Sequence, residues 1–209
     1  MCRSGNKGGA SARRGGRRGL AATLASLCLL AAAPAAAQLD ELENDPGRFD
    51  VRSASAELES GVYYLTARLD YQLSTQAREA LLSGFPLTVR LEVEILTWRR
   101  YWMDTEAARL TQLYDLEYHA LTERYIVRNR NSSDQSSFVS LFAALSYLGR
   151  IEGLPLIDSA VLDAGRRYDI RIRALLDKEQ LPGPLRLLAF WRRDWSLGSE
   201  WFRWQLQGD

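Results

Sequence analysis

Three stretches of the chain alternate apolar and polar side chains with a period of two, and this pattern limits the fold more than any other feature. In the first, Tyr63, Leu65, Ala67, Leu69, Tyr71 and Leu73 share one face, while Tyr64, Thr66, Arg68, Asp70 and Gln72 share the other. Leu87, Val89, Leu91, Val93 and Ile95 against Thr88, Arg90, Glu92 and Glu94 make the second. Tyr168, Ile170, Ile172, Ala174 and Leu176 against Asp169, Arg171 and Arg173 make the third. Extended backbone is what puts alternate side chains on opposite faces, so each stretch reads as a strand with one face toward a core. One-faced strands joined by short connections predict antiparallel sheets that bury their apolar faces against each other, not a parallel sheet wrapped in helices.

The remaining segments fit around that frame. Residues 51–59 alternate more weakly and run into Ser60-Gly61, a turn pair that predicts a hairpin with the first clear strand. Ser74 or Thr75 caps a short helix through Ala77, Ala80, Leu81 and Leu82, which Gly84 and Pro86 stop. Residues 110–127 place Tyr114, Leu116, Tyr118 and Ala120 on one face and read as a long strand or a bent pair. After a polar loop at 131–137, Phe138, Leu141, Phe142, Leu145 and Leu148 recur at helical spacing up to Gly149, with Ser136 or Ser137 as cap. Pro182-Gly183-Pro184 breaks the chain before residues 185–206, which form the last one or two strands. The expected fold is mainly β: an antiparallel β-sandwich, immunoglobulin-like in general architecture, with two short helices.

The first 37 residues do not belong to that domain. Arg3, Lys7, Arg13, Arg14, Arg17 and Arg18 precede an apolar run at residues 20–33, and Ala35-Ala36-Ala37 then offers the small residues a signal peptidase reads. A spanning helix needs about 20 apolar residues, more than this run supplies. The expected division is therefore a signal peptide at 1–37 cleaved after Ala37, a flexible lead-in at 38–48 and one β-rich domain at 49–209. The processed protein is expected in the periplasm or secreted, with no integral membrane span. Six of the 27 basic residues and none of the 26 acidic ones leave with the leader, so the processed chain carries a net charge of about −5. An acidic domain lacks the basic footprint of a nucleic-acid binder.

Catalytic chemistry finds little footing. Cys2 and Cys28 both lie in the leader, so the processed chain has no thiol for a disulfide or a metal. His119 is the only histidine, which excludes a multi-histidine metal site, and no G-x-S-x-G turn accompanies it. Glu92, Glu94, Asp115 and Glu117 are carboxylates on polar strand faces, with no spacing that singles out a pair for acid–base work. No phosphate-cradling glycine loop is present, and no cofactor is expected. What stands out is tryptophan beside arginine. Trp98, Arg100 and Trp102 form one cluster, and Trp195, Trp201 and Arg203 form another in a tail that holds four of the six tryptophans. Trp and Arg dominate binding hot spots, so these six residues are the candidate site. The competing reading is that the tryptophans fill the core while the arginines pair with acids.

Five segments taken in order resemble the proteobacterial domain of unknown function 4390 family. They are residues 84–93 (GFPLTVRLEV), Arg100-Tyr101-Trp102, residues 116–125 (LEYHALTERY), residues 182–186 (PGPLR) and residues 194–204 (DWSLGSEWFRW). The resemblance implies a small exported protein with one signal peptide, no assigned activity and a link to an envelope sensor kinase. It carries no functional residue. The expected function is a periplasmic binding or protein-interaction module, not an enzyme, with an envelope protein as partner. The alternatives are a carboxylate-dependent hydrolase of envelope glycan and a purely structural envelope subunit.

Overall fold

The computed structural model describes residues 45–98, 105–163, 165–181, 183, 186 and 195–206. The strands are β1 (Arg48–Glu59), β2 (Val62–Gln72), β3 (Leu87–Thr97), β4 (Thr105–His119), β5 (Arg124–Asn129), β6 (Gln135–Phe138), β7 (Arg150–Asp158), β8 (Tyr168–Leu176) and β9 (Phe202–Gln205). Two helices, α1 (Thr75–Leu82) and α2 (Leu141–Leu148), follow β2 and β6. The strands form two antiparallel sheets, one ordered β1-β2-β7 and one ordered β6-β5-β4-β3-β8-β9. Among the described residues no helix is long and apolar enough to cross a membrane.

The period-two pattern dictates how the sheets meet. Leu65, Ala67 and Leu69 of β2 and Leu87, Val89, Leu91 and Val93 of β3 join Ile170, Ile172 and Ala174 of β8 in one buried cluster between the sheets. Burying a side chain of this size contributes about 1.5–3 kcal/mol, which makes this layer the main source of stability. The β1–β2 hairpin closes on Ser60 and Gly61, with φ of 49° and 88°. Positive φ at both positions is what a two-residue turn matched to strand twist requires. Ser74 caps α1 as its hydroxyl accepts a hydrogen bond from the Ala77 amide at 3.2 Å.

Residues 110–127 fold as the bent pair: β4 and β5 join through a turn at 120–123, so Ala120 leaves the apolar face for solvent. The second helix begins later than its spacing predicts. Residues 135–138 pair with β5, and Arg124 binds the Ser137 hydroxyl and carbonyl, so the cap falls to Ser140. Phe142, expected on the apolar face of that helix, is 82% exposed. β7, a stretch for which the sequence pattern predicts no element, carries Gly153 and Pro155. The structure uses them at a sheet edge, where proline is tolerated, and the ladder to β2 shifts register on either side.

Candidate functional site

The inward side of β3 is apolar, and its other side is also buried, which a two-sheet fold does not by itself require. Thr88, Glu92, Glu94 and Leu96 point away from the sandwich core and still have almost no contact with solvent. What covers the two glutamates is arginine. Cross-strand register sets Glu92 opposite Arg173 and Glu94 opposite both Arg171 and Arg109, placing opposite charges side by side. Arg173 donates to Glu92 through Nε and Nη2, both at 2.7 Å. Arg171 Nε donates to Glu94 at 2.6 Å, and Arg109 reaches the other oxygen of Glu94 at 2.9 Å. Arg90 binds Asp177, and Arg203 grips Asp169 through Nε at 3.0 Å and Nη2 at 2.6 Å.

These pairs are layered. The Glu94 side chain is 3% exposed, whereas Arg171 and Arg109 above it are 33% and 48% exposed. Carboxylates therefore lie against the sheet and guanidinium groups face water. Arg109 also donates hydrogen bonds to the Glu106 carboxylate, which hold that carboxyl below its ordinary range and raise the arginine. Trp201 lies on this layer, its ring centre 4.4 Å from the Arg171 guanidinium carbon and 4.3 Å from that of Arg173. The arrangement stacks carboxylate, guanidinium and indole outward in that order, and a desolvated cation–π contact contributes up to about 2 kcal/mol.

The six candidate residues divide. Trp201 and Arg203 belong to this outer face. Trp98 is 43% exposed at the end of β3, with Arg167 5.8 Å from its ring centre. Arg167 lies four to six residues along the chain from the arginines under Trp201, about 13–20 Å at roughly 3.3 Å per residue, so Trp98 and Trp201 do not share one contact point. Trp195 is 4% exposed inside the core cluster, and Trp204 packs against that cluster. Trp195 is therefore corrected from a surface contact to a core residue. Arg100 and Trp102 lie outside the described residues. Arg171, Arg173, Glu92 and Glu94 were missed as a site because each looks like an ordinary polar strand residue. Equal spacing of arginine on one strand and glutamate on another was the available signal.

The carboxylates considered for catalysis are mostly committed elsewhere. Glu92 and Glu94 hold arginines, and Asp115 accepts from the Thr88 hydroxyl at 2.8 Å. His119 sits exposed at the end of β4, where the Thr122 hydroxyl is 3.3 Å from Nδ1. No group of three or more metal-ligating side chains occurs among the described residues.

Fold and face together define a two-sheet antiparallel sandwich whose larger sheet carries a layered arginine–carboxylate surface on its outer side. Residues 47–205 match the family model described as Domain of unknown function (DUF4390), and the chain belongs to that family. No curated protein and no solved structure matches it.

Proposed function

We propose that this is an exported periplasmic interaction module that engages an envelope protein through the outer face of its six-stranded sheet. The leader, read as cleaved after Ala37, supplies the export, and the domain supplies the surface. The observation that carries the reading is the layering of that face, with guanidinium groups outward over buried carboxylates and Trp201 flat on top. The buried acids hold the arginines in place before any partner arrives, which lowers the side-chain ordering cost of binding. Outward guanidinium beside an aromatic ring suits a partner presenting carboxylates and an apolar edge. A link to an envelope sensor kinase is one such partnership.

The test is cross-linking of the tagged protein in its native envelope, followed by mass spectrometry, with Trp201→Ala and Arg173→Gln compared against the unaltered chain. One envelope protein captured by the unaltered chain and lost from both folded variants supports the reading. Capture that is unchanged in both variants, or no capture at all, removes it.

A further inference from the structure

At the Thr88 end of the same outer face, a cleft of about 450 Å³ opens among β4, β5 and the 3₁₀ turn at Lys178–Gln180. Thr88 and Asp115 line it, with Glu117, Arg128, Arg130 and Gln180 around them. Over the rest of the face Arg90, Arg109, Arg171, Arg173 and Arg203 each meet a carboxylate. Inside the cleft that rule fails. Arg128 stands directly across the ladder from Asp115, yet Asp115 is engaged by Thr88 at 2.8 Å and by Arg130 at 3.8 Å. Arg128 instead donates to the neutral Gln135 amide oxygen at 3.2 and 3.3 Å. Glu117, two residues beyond Asp115 on the same face, has no hydrogen bond or ion pair among the described residues.

One cation and one anion thus line the same cleft, neither of them in an ion pair among the described residues. The two are diagonal neighbours across β4 and β5, a placement that sets backbones about 7–8 Å apart. An extended chain of two residues spans roughly 7 Å. Pro86 is the one apolar residue in the lining, so the cleft offers little to an apolar ligand. We infer that this cleft binds a dipeptide-sized zwitterion, with the ligand carboxylate on Arg128 and its ammonium group on Glu117. The Trp201 surface and the cleft share no residue, and either assignment stands without the other.

Calorimetric titration of the processed protein with alanyl-alanine, its N-acetyl derivative and its C-terminal amide tests the assignment. The unmodified dipeptide is expected to bind saturably, and each capped form about tenfold or more weaker, because each cap removes one charge-assisted hydrogen bond. Glu117→Gln should abolish the preference over the N-acetyl form and leave the preference over the amide, and Arg128→Gln should do the reverse. Equal binding of free and capped dipeptides overturns the inference, as does the absence of saturable heat up to about 20 mM. The ligand comparison is made on the unaltered protein, so it decides the matter even if a variant fails to fold.

Discussion

Replacing Glu94 with glutamine tests whether the arginine layer rests on its buried acids. Glu94 is the carboxylate that Arg171 and Arg109 share, and it is almost wholly buried. Removing one partner of a fully buried ion pair costs about 3–5 kcal/mol, because the other charge is left uncompensated. Here Arg171 retains access to water and glutamine keeps one acceptor oxygen, so about 2 kcal/mol is expected. With a urea slope of roughly 2 kcal/mol/M, the unfolding midpoint should fall by about 1 M at constant slope. Tryptophan emission should shift to the red at the same time, as Trp201 loses its seat. In a double-mutant cycle Glu94→Gln and Arg171→Gln should be non-additive by about 1 kcal/mol or more. A midpoint change under about 0.2 M, or full additivity, would refute the claim that the acid anchors the layer.

Four further outcomes follow from particular contacts. Trp195→Ala should cost about 3–5 kcal/mol in chemical denaturation, whereas Trp98→Ala should stay within about 0.5 kcal/mol, since one lies in the core and the other on the surface. A Cβ at Gly149 would lie 2.0 Å from the Leu69 carbonyl oxygen, so Gly149→Ala should lower stability by about 1–3 kcal/mol and speed amide exchange of Leu69, which donates to Gly149. Ser74→Ala should lose about 1 kcal/mol and fray the start of α1, visible by hydrogen exchange at Ala77. Burial, with Tyr114 nearby, raises the Tyr71 phenol above its ordinary value of 10.0, and burial also raises Tyr114. The unfolded chain therefore gives up those protons first, so stability should be unaffected below about pH 10 and fall above it, with Tyr71→Phe reducing the slope of that fall.

How much of this was legible in the sequence depended on whether local pattern and tertiary context agreed. For β2 and β8 the alternation of apolar residues matched the buried face, whereas in β3 it marked only the inward side, since the arginine layer buries the other side too. At β7 they disagreed, since Gly153 and Pro155 carry turn signals that only an edge position overrides. At residues 135–138 pairing with β5 took backbone that helical spacing would have claimed. The arginine layer lay beyond reach for a different reason. Glu94 and Arg171 are 77 residues apart, and nothing local says that their strands are neighbours. Tryptophan abundance in the tail was visible, but which indole would turn inward depended on the packing around Leu197 and Trp195.

The separation of β3 from β8 also governs how the molecule can assemble. β4 follows β3 directly, while the other neighbour of β3 arrives only after some 80 residues, as the 81-residue span between Glu92 and Arg173 shows. A chain truncated before β8 would leave β3, apolar on one side and acidic on the other, as an open edge with unpaired amides and carbonyls. Such a chain cannot complete its central sheet, and long-range closure of this kind makes folding slow. Until β8 joins, the strand that is buried on both sides in the finished fold stays an open edge, the arrangement most prone to pairing with a second copy.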